Sequence, residues 1–179
     1  MEIKACEPGA APAQLAAAQA SATDANVTAT QWTARTVIEF PSTVGNITDA
    51  GRRFSSFLEQ LRIDTGARID LQVAFHEALA NAVKHGNKAD SSKCVVAECM
   101  ANDQMLKICV TDEGEGFDTS TAIAMKSNPF HDGGNGLALI SSLMDEVSYN
   151  SKGNSVSLVK FCSQPSSQQQ GGNDYGQVV

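Results

Sequence analysis

The sequence predicts a two-layer α/β (α+β) sandwich: a mixed, largely antiparallel sheet with helices on one face. Three observations lead there. Apolar periods of two and of three to four alternate along the middle of the chain in the order strand, helix, helix, strand, strand, loop, helix, strand. Two of the strands are separated by a short polar connection, which pairs them antiparallel. The stretch carrying these periods, 36–162, is flanked by segments with almost no large side chain to bury.

Residues 36–40 read as a short strand closed by Pro41. Ile47, Gly51, Phe54, Leu58 and Leu61 then recur at steps of four and three, predicting an amphipathic helix over 43–62. A second helix begins near Arg68, sets Leu71, Phe75, Ala78 and Ala82 on one face and stops at Gly86, a residue suited to a left-handed C-terminal cap. Strands over 93–100 and 104–111 flank Ala101-Asn102-Asp103 as a hairpin. From 118 to 135 there is no period, and a loop of that length in a compact domain is usually functional or disordered, so it is expected to act as a lid. Leu137, Ile140, Met144 and Val147 mark a third helix, and 155–161 returns as the last strand.

Composition bounds the rest. At 179 residues the chain has room for one ordinary domain. Residues 5–34 contain twelve alanines and few large side chains, so 1–35 is expected to be a disordered Ala-rich tail; the competing view is a marginal alanine-rich helix over 12–22. A second disordered tail, rich in Gln, Ser and Gly, is expected over 163–179. The net charge of −7, without a basic run, argues against nucleic acid as a partner. No apolar run reaches the ~18 residues of a membrane span, and the N-terminal stretch has no signal-peptide core, which together predict a cytoplasmic protein that does not enter membranes. Cys94, Cys99, Cys109 and Cys162 lie in apolar stretches without metal-type spacing, so they are read as reduced core thiols.

Three polar clusters interrupt this apolar framework. Glu77 and Asn81 are four apart and Lys84 three further on, which puts a carboxylate, an amide and an ammonium in one helical stripe. Such a stripe is ordinarily a solvated face; alanines at 74, 78, 80 and 82 instead permit close neighbours. Asp112-Glu113-Gly114-Glu115-Gly116-Phe117-Asp118 follows a strand end, where alternate glycines allow a flat ligand to approach and an aspartate can accept from a ligand amino group. An ordinary glycine turn explains it equally, while a calcium loop would need more oxygen ligands at EF-hand spacing. Gly133-Gly134-Asn135-Gly136-Leu137 opens the third helix and exposes backbone N–H groups at a positive helix end, an anion site or else a flexible hinge. Neither a Walker A nor a Rossmann fingerprint is present.

In this order and spacing, the three clusters resemble the nucleotide boxes of the gyrase/Hsp90/histidine-kinase/MutL ATP-binding superfamily. Glu77-Ala-Leu-Ala-Asn81-Ala-Val-Lys84-His85-Gly86, Asp112-x-Gly114-x-Gly116-Phe117-Asp118 and Gly134-Asn135-Gly136-Leu137 through Met144-Asp145-Glu146-Val147 are similar to its bacterial anti-sigma-factor serine kinase branch. The resemblance spans 36–162 and implies a histidine-kinase-like ATP-binding domain that uses ATP and Mg2+. It implies that Asn81 holds magnesium, Asp112 accepts from the adenine amino group, Gly114 and Gly116 shape the base pocket, and Lys84 contacts phosphate. Gly134, Asn135, Gly136 and Leu137 would wrap the phosphates, although many relatives have arginine where Asn135 stands. Glu77 would be the general base. His76 reads as packing or surface, His85 as part of the helix end and His131 as a lid residue.

The function so implied is a kinase that transfers the ATP γ-phosphoryl to serine on an anti-anti-sigma partner with a STAS domain and also sequesters a sigma factor, in a family whose members often form homodimers. A second reading is a non-catalytic ATP-binding module that binds such partners or a phosphatase; Glu77 separates the two, because binding needs no base. A third, an ATPase module of a topoisomerase-like machine, would need a transducer domain beyond residue 162.

Overall fold

A computed structural model describes residues 31–118 and 135–162. Residues 1–30 of the expected tail over 1–35, all of the expected tail over 163–179, and residues 119–134 of the expected lid over 118–135, with Gly134 and His131, lie outside the described residues.

Alternation decides the first strand. β1 (Ala34–Pro41) buries Ile38 and Phe40 and leaves Arg35, Val37 and Glu39 exposed; it begins two residues before the expected start of the domain. α1 (Val44–Glu59) buries Ala50, Phe54, Phe57 and Leu58. α2 (Thr65–Asn81) starts three residues earlier than its apolar face suggests, because the Asp64 carboxylate accepts the Ala67 N–H at 2.9 Å and caps the first turn. Its buried stripe of Leu71, Ala74, Phe75, Ala78 and Leu79 packs on α1, where the rings of Phe54 and Phe75 stack with centroids 4.1 Å apart.

The end of α2 differs from expectation. The helix widens into a π-helical turn, Ala82–Gly86, in which the Asn87 N–H donates to the Ala82 carbonyl at 2.8 Å. The residue gained by that turn moves the reversal of hand down the chain, so Lys88 (φ 57°) and Ala89 (φ 56°), not Gly86, take the left-handed conformation.

β2 (Cys94–Ala101) and β3 (Met105–Asp112) form the expected hairpin. Asn102 closes it, its Oδ1 accepting the Gln104 and Met105 N–H groups, both at 2.9 Å. The third helix, α3 (Asn135–Leu143), is shorter than predicted. Val147 lies instead on β4 (Glu146–Tyr149), opposite Leu158 of β5 (Ser155–Phe161). Steps of three and four from Leu137 through Met144 carry a helical period on to Val147, although the helix has ended at Leu143. The sheet decides, since the Asp145 N–H donates to the Val159 carbonyl and Lys160 Nζ takes the Leu143 carbonyl at 2.7 Å.

The five strands run in the order β1-β2-β3-β5-β4, and every pairing among the described residues is antiparallel, where the sequence allowed a mixed sheet. Helices cover the face bearing Ile38, Ala97, Cys99, Leu106, Ile108 and Leu158, which with Phe54, Leu71 and Phe75 make one apolar core. From that face Lys160 also reaches Asp70 of α2 at 2.9 Å, tying β5 to both later helices. Cys99, Cys109 and Cys162 are free thiols, as expected; Cys94, half-buried at the first residue of β2, is disulfide-bonded and departs from that expectation. No helix among the described residues is long and apolar enough to cross a membrane.

Candidate active site

Small residues on α2 leave room beside it. Ala78 and Ala82 of α2 and its continuing turn, Val110 of β3, Ile140 of α3 and Val156 of β5 form the apolar walls of a cleft of about 400 Å³ between the helices and the end of the sheet. Polar groups converge at its two ends.

At one end stands Asp112, the last residue of β3. A Cβ at Gly86 would collide with its carboxylate, so the glycine expected as a helix cap serves as the floor beneath this side chain. Gly114, buried against Gly86, donates its N–H to Asp112 Oδ1 at 2.7 Å. Burial pushes the Asp112 carboxyl above its ordinary value, against the pull of the Gly114 N–H and of the Lys152 and Lys93 charges. Gly116 has φ 80°, which a side chain would strain, and its Cα faces the Lys152 carbonyl so closely that no Cβ fits. The ring of Phe117, beyond it, meets Tyr149 of β4 edge-on with centroids 5.3 Å apart, and both line the cleft.

At the other end Glu77 and Asn81 lie one turn apart on α2, facing the first turn of α3. A Cβ at Gly136 would come within 2.7 Å of Glu77 Oε2 and 3.7 Å of Asn81 Oδ1, so the glycine is what lets α3 approach them. Among the described residues, Asn81 Nδ2 is buried without a hydrogen-bond partner, an amide atom left unspent on a residue that lines the cleft. An amide so placed fits a site completed by a ligand, and its oxygen is the hard donor that magnesium takes.

Asn81, Asp112, Gly116, Gly136 and Leu137 thus line one cleft, with Glu77 and Gly114 directly behind it. The side chain of Asn135 is outside the described residues, as is Gly134. Lys84 is exposed and does not line the cleft, because the π-helical turn carries it off the Glu77–Asn81 stripe; Lys88 and His85 line it instead. His76 is exposed, with its ring over Gly51. Sequence reasoning did not single out Tyr149, Asn154 or Ser155, which also line the cleft. Asn154 and Ser155 follow Gly153, whose φ of 78° turns β4 into β5, and Tyr149 ends β4.

A carboxylate and an amide at one end, a partly desolvated carboxylate at the other and apolar walls between them make this cleft the candidate ligand site of an antiparallel two-layer α/β fold. The chain matches the histidine kinase-like ATPase domain over residues 40–160 and belongs to that family. It is 39% identical over 105 residues to the serine-protein kinase RsbW of Staphylococcus epidermidis and 33% identical over 101 residues to that of Listeria monocytogenes serotype 4a. In each case the match covers 51% of this chain and 64% of the relative. Its fold is similar to the crystal structure of the RsbU and RsbW domains of a Mycobacterium tuberculosis protein, with a TM-score of 0.53, 19% identity and coverage of 74% of this chain and 34% of that one.

Proposed function

We propose that the chain is an ATP-dependent serine-protein kinase and anti-sigma factor, which phosphorylates a STAS-domain anti-anti-sigma protein in the cytoplasm. The observation that carries this reading is the meeting of Glu77, Asn81 and Gly136 at the end of the cleft opposite Asp112. In it, Asp112 accepts from the adenine amino group, and the apolar walls exclude water from the base. Asn81 would hold Mg2+, which neutralises phosphate charge when bound. The Glu77 carboxylate accepts the proton of the attacking serine hydroxyl as its oxygen bonds the γ-phosphorus and ADP leaves. The relatives named as serine-protein kinases support the choice of acceptor.

The direct test is incubation with γ-labelled ATP, magnesium and purified STAS-domain candidates. Label on a partner serine is expected. ATP binding without transfer to any candidate would favour a nucleotide-dependent binding module, for which Glu77 has no use.

A further inference from the structure

Asn87 is 1% exposed and does not line the cleft. Its Oδ1 accepts the Glu113 N–H at 2.9 Å, and its Nδ2 donates to the Cys94 carbonyl at 2.9 Å. The Cys94 N–H donates in turn to Glu113 Oε2 at 2.6 Å. These bonds close a triangle joining the end of the π-helical turn, the start of β2 and the residue after Asp112. From the other side Asn154 Nδ2 donates to the Asp112 carbonyl at 2.7 Å, and the Asp112 N–H donates to the Asn154 carbonyl at 3.0 Å.

The Asp112 carbonyl and the Glu113 N–H belong to one peptide group, which is planar. Two asparagine side chains therefore grip a single peptide plane at both ends, Asn87 from the helical layer and Asn154 from the β4–β5 turn. Fixing that plane fixes ψ of Asp112. The direction of its carboxylate is then limited to side-chain torsions, already confined by the Gly86 floor and the Gly114 N–H.

We propose that Asn87 is a positioning residue for base selection: it holds the plane that keeps the Asp112 carboxylate aimed at a base amino group, so the cleft takes adenine in preference to guanine nucleotides. The inference rests on the reading of Asp112 as the base acceptor. Adenine presents a donor amino group where guanine presents a carbonyl oxygen, so a fixed carboxylate attracts one and repels the other. A carboxylate free to swing discriminates less.

The test is calorimetric titration of ATP and of GTP into wild type, Asn87→Ala, Asp112→Asn and the double variant, with thermal unfolding recorded for each. Asn87→Ala is expected to lose about tenfold in ATP affinity, the equivalent of one hydrogen-bonded contact, with GTP affinity unchanged and no further loss on top of Asp112→Asn. Equal weakening of ATP and GTP would reduce Asn87 to a folding role and overturn the proposal. An unchanged ATP/GTP ratio in Asn87→Ala, with ATP weakened by Asp112→Asn, would overturn the positioning role alone. No effect of Asp112→Asn would overturn the base-acceptor reading and this inference with it. If Asn87→Ala does not fold, Glu113→Ala, which removes the exposed side of the same triangle, is read for the same change in ratio.

Discussion

In the proposed reading Asp112 and Glu77 divide the chemistry between them, one selecting the base and the other taking a proton. Replacing Asp112 with Asn keeps the shape of the side chain but removes the charge that strengthens a bond from an amino donor. A fall of about tenfold in ATP affinity is expected by calorimetry. The same group sets a pH dependence. Burial raises the Asp112 pKa, and a base acceptor must be ionised, so with Asp112 in that role ATP affinity is expected to be full above the raised value and to fall as pH drops through it. Titrations at descending pH are expected to show the loss beginning above the ordinary carboxylate range in wild type and absent in Asp112→Asn. The carboxylate, the amide and most glycines of this site were legible in the sequence because each needs a particular residue type. The position of Lys84 off the cleft was not legible because a π-helical turn leaves no mark in an apolar period, nor was Asn87, because a buried asparagine reads like any loop residue.

Among the elements, the strands of the hairpin and the first two helices follow directly from their apolar spacing. β4 did not, since four residues carry too few alternations to compete with a helix period that already fitted Val147. The start of α2 was set by a cap and not by burial. Removing that cap in Asp64→Ala is expected to lower the unfolding free energy by about 1 kcal/mol in a urea titration, with nucleotide affinity unchanged. The start of α3 lies against the candidate site, with Gly136 beside Glu77. Gly136→Ala would drive a methyl against Glu77 Oε2, so the variant is expected to fold and to lose phosphoryl transfer at least tenfold in a timed labelling assay.

For the whole molecule, the sandwich works as a frame that brings the end of β3, the end of α2 and the start of α3 to one cleft. The sequence showed this layering because one face of each helix and of the sheet is apolar; the order of the strands needed the structure, since β5 inserts between β3 and β4. The frame is held by the core. Leu71, fully buried on α2, is expected to cost about 2–5 kcal/mol when cut to Ala, read from the denaturation midpoint. The central claim is that this frame presents Glu77 as the base for transfer to a partner serine. The most direct measurement is the single-turnover rate of phosphate transfer from labelled ATP to purified STAS-domain candidates by wild type and by Glu77→Gln, with ATP affinity measured in parallel. A loss of about 10²–10⁴-fold in rate at nearly unchanged ATP affinity is predicted. Transfer by Glu77→Gln at the wild-type rate would contradict the account.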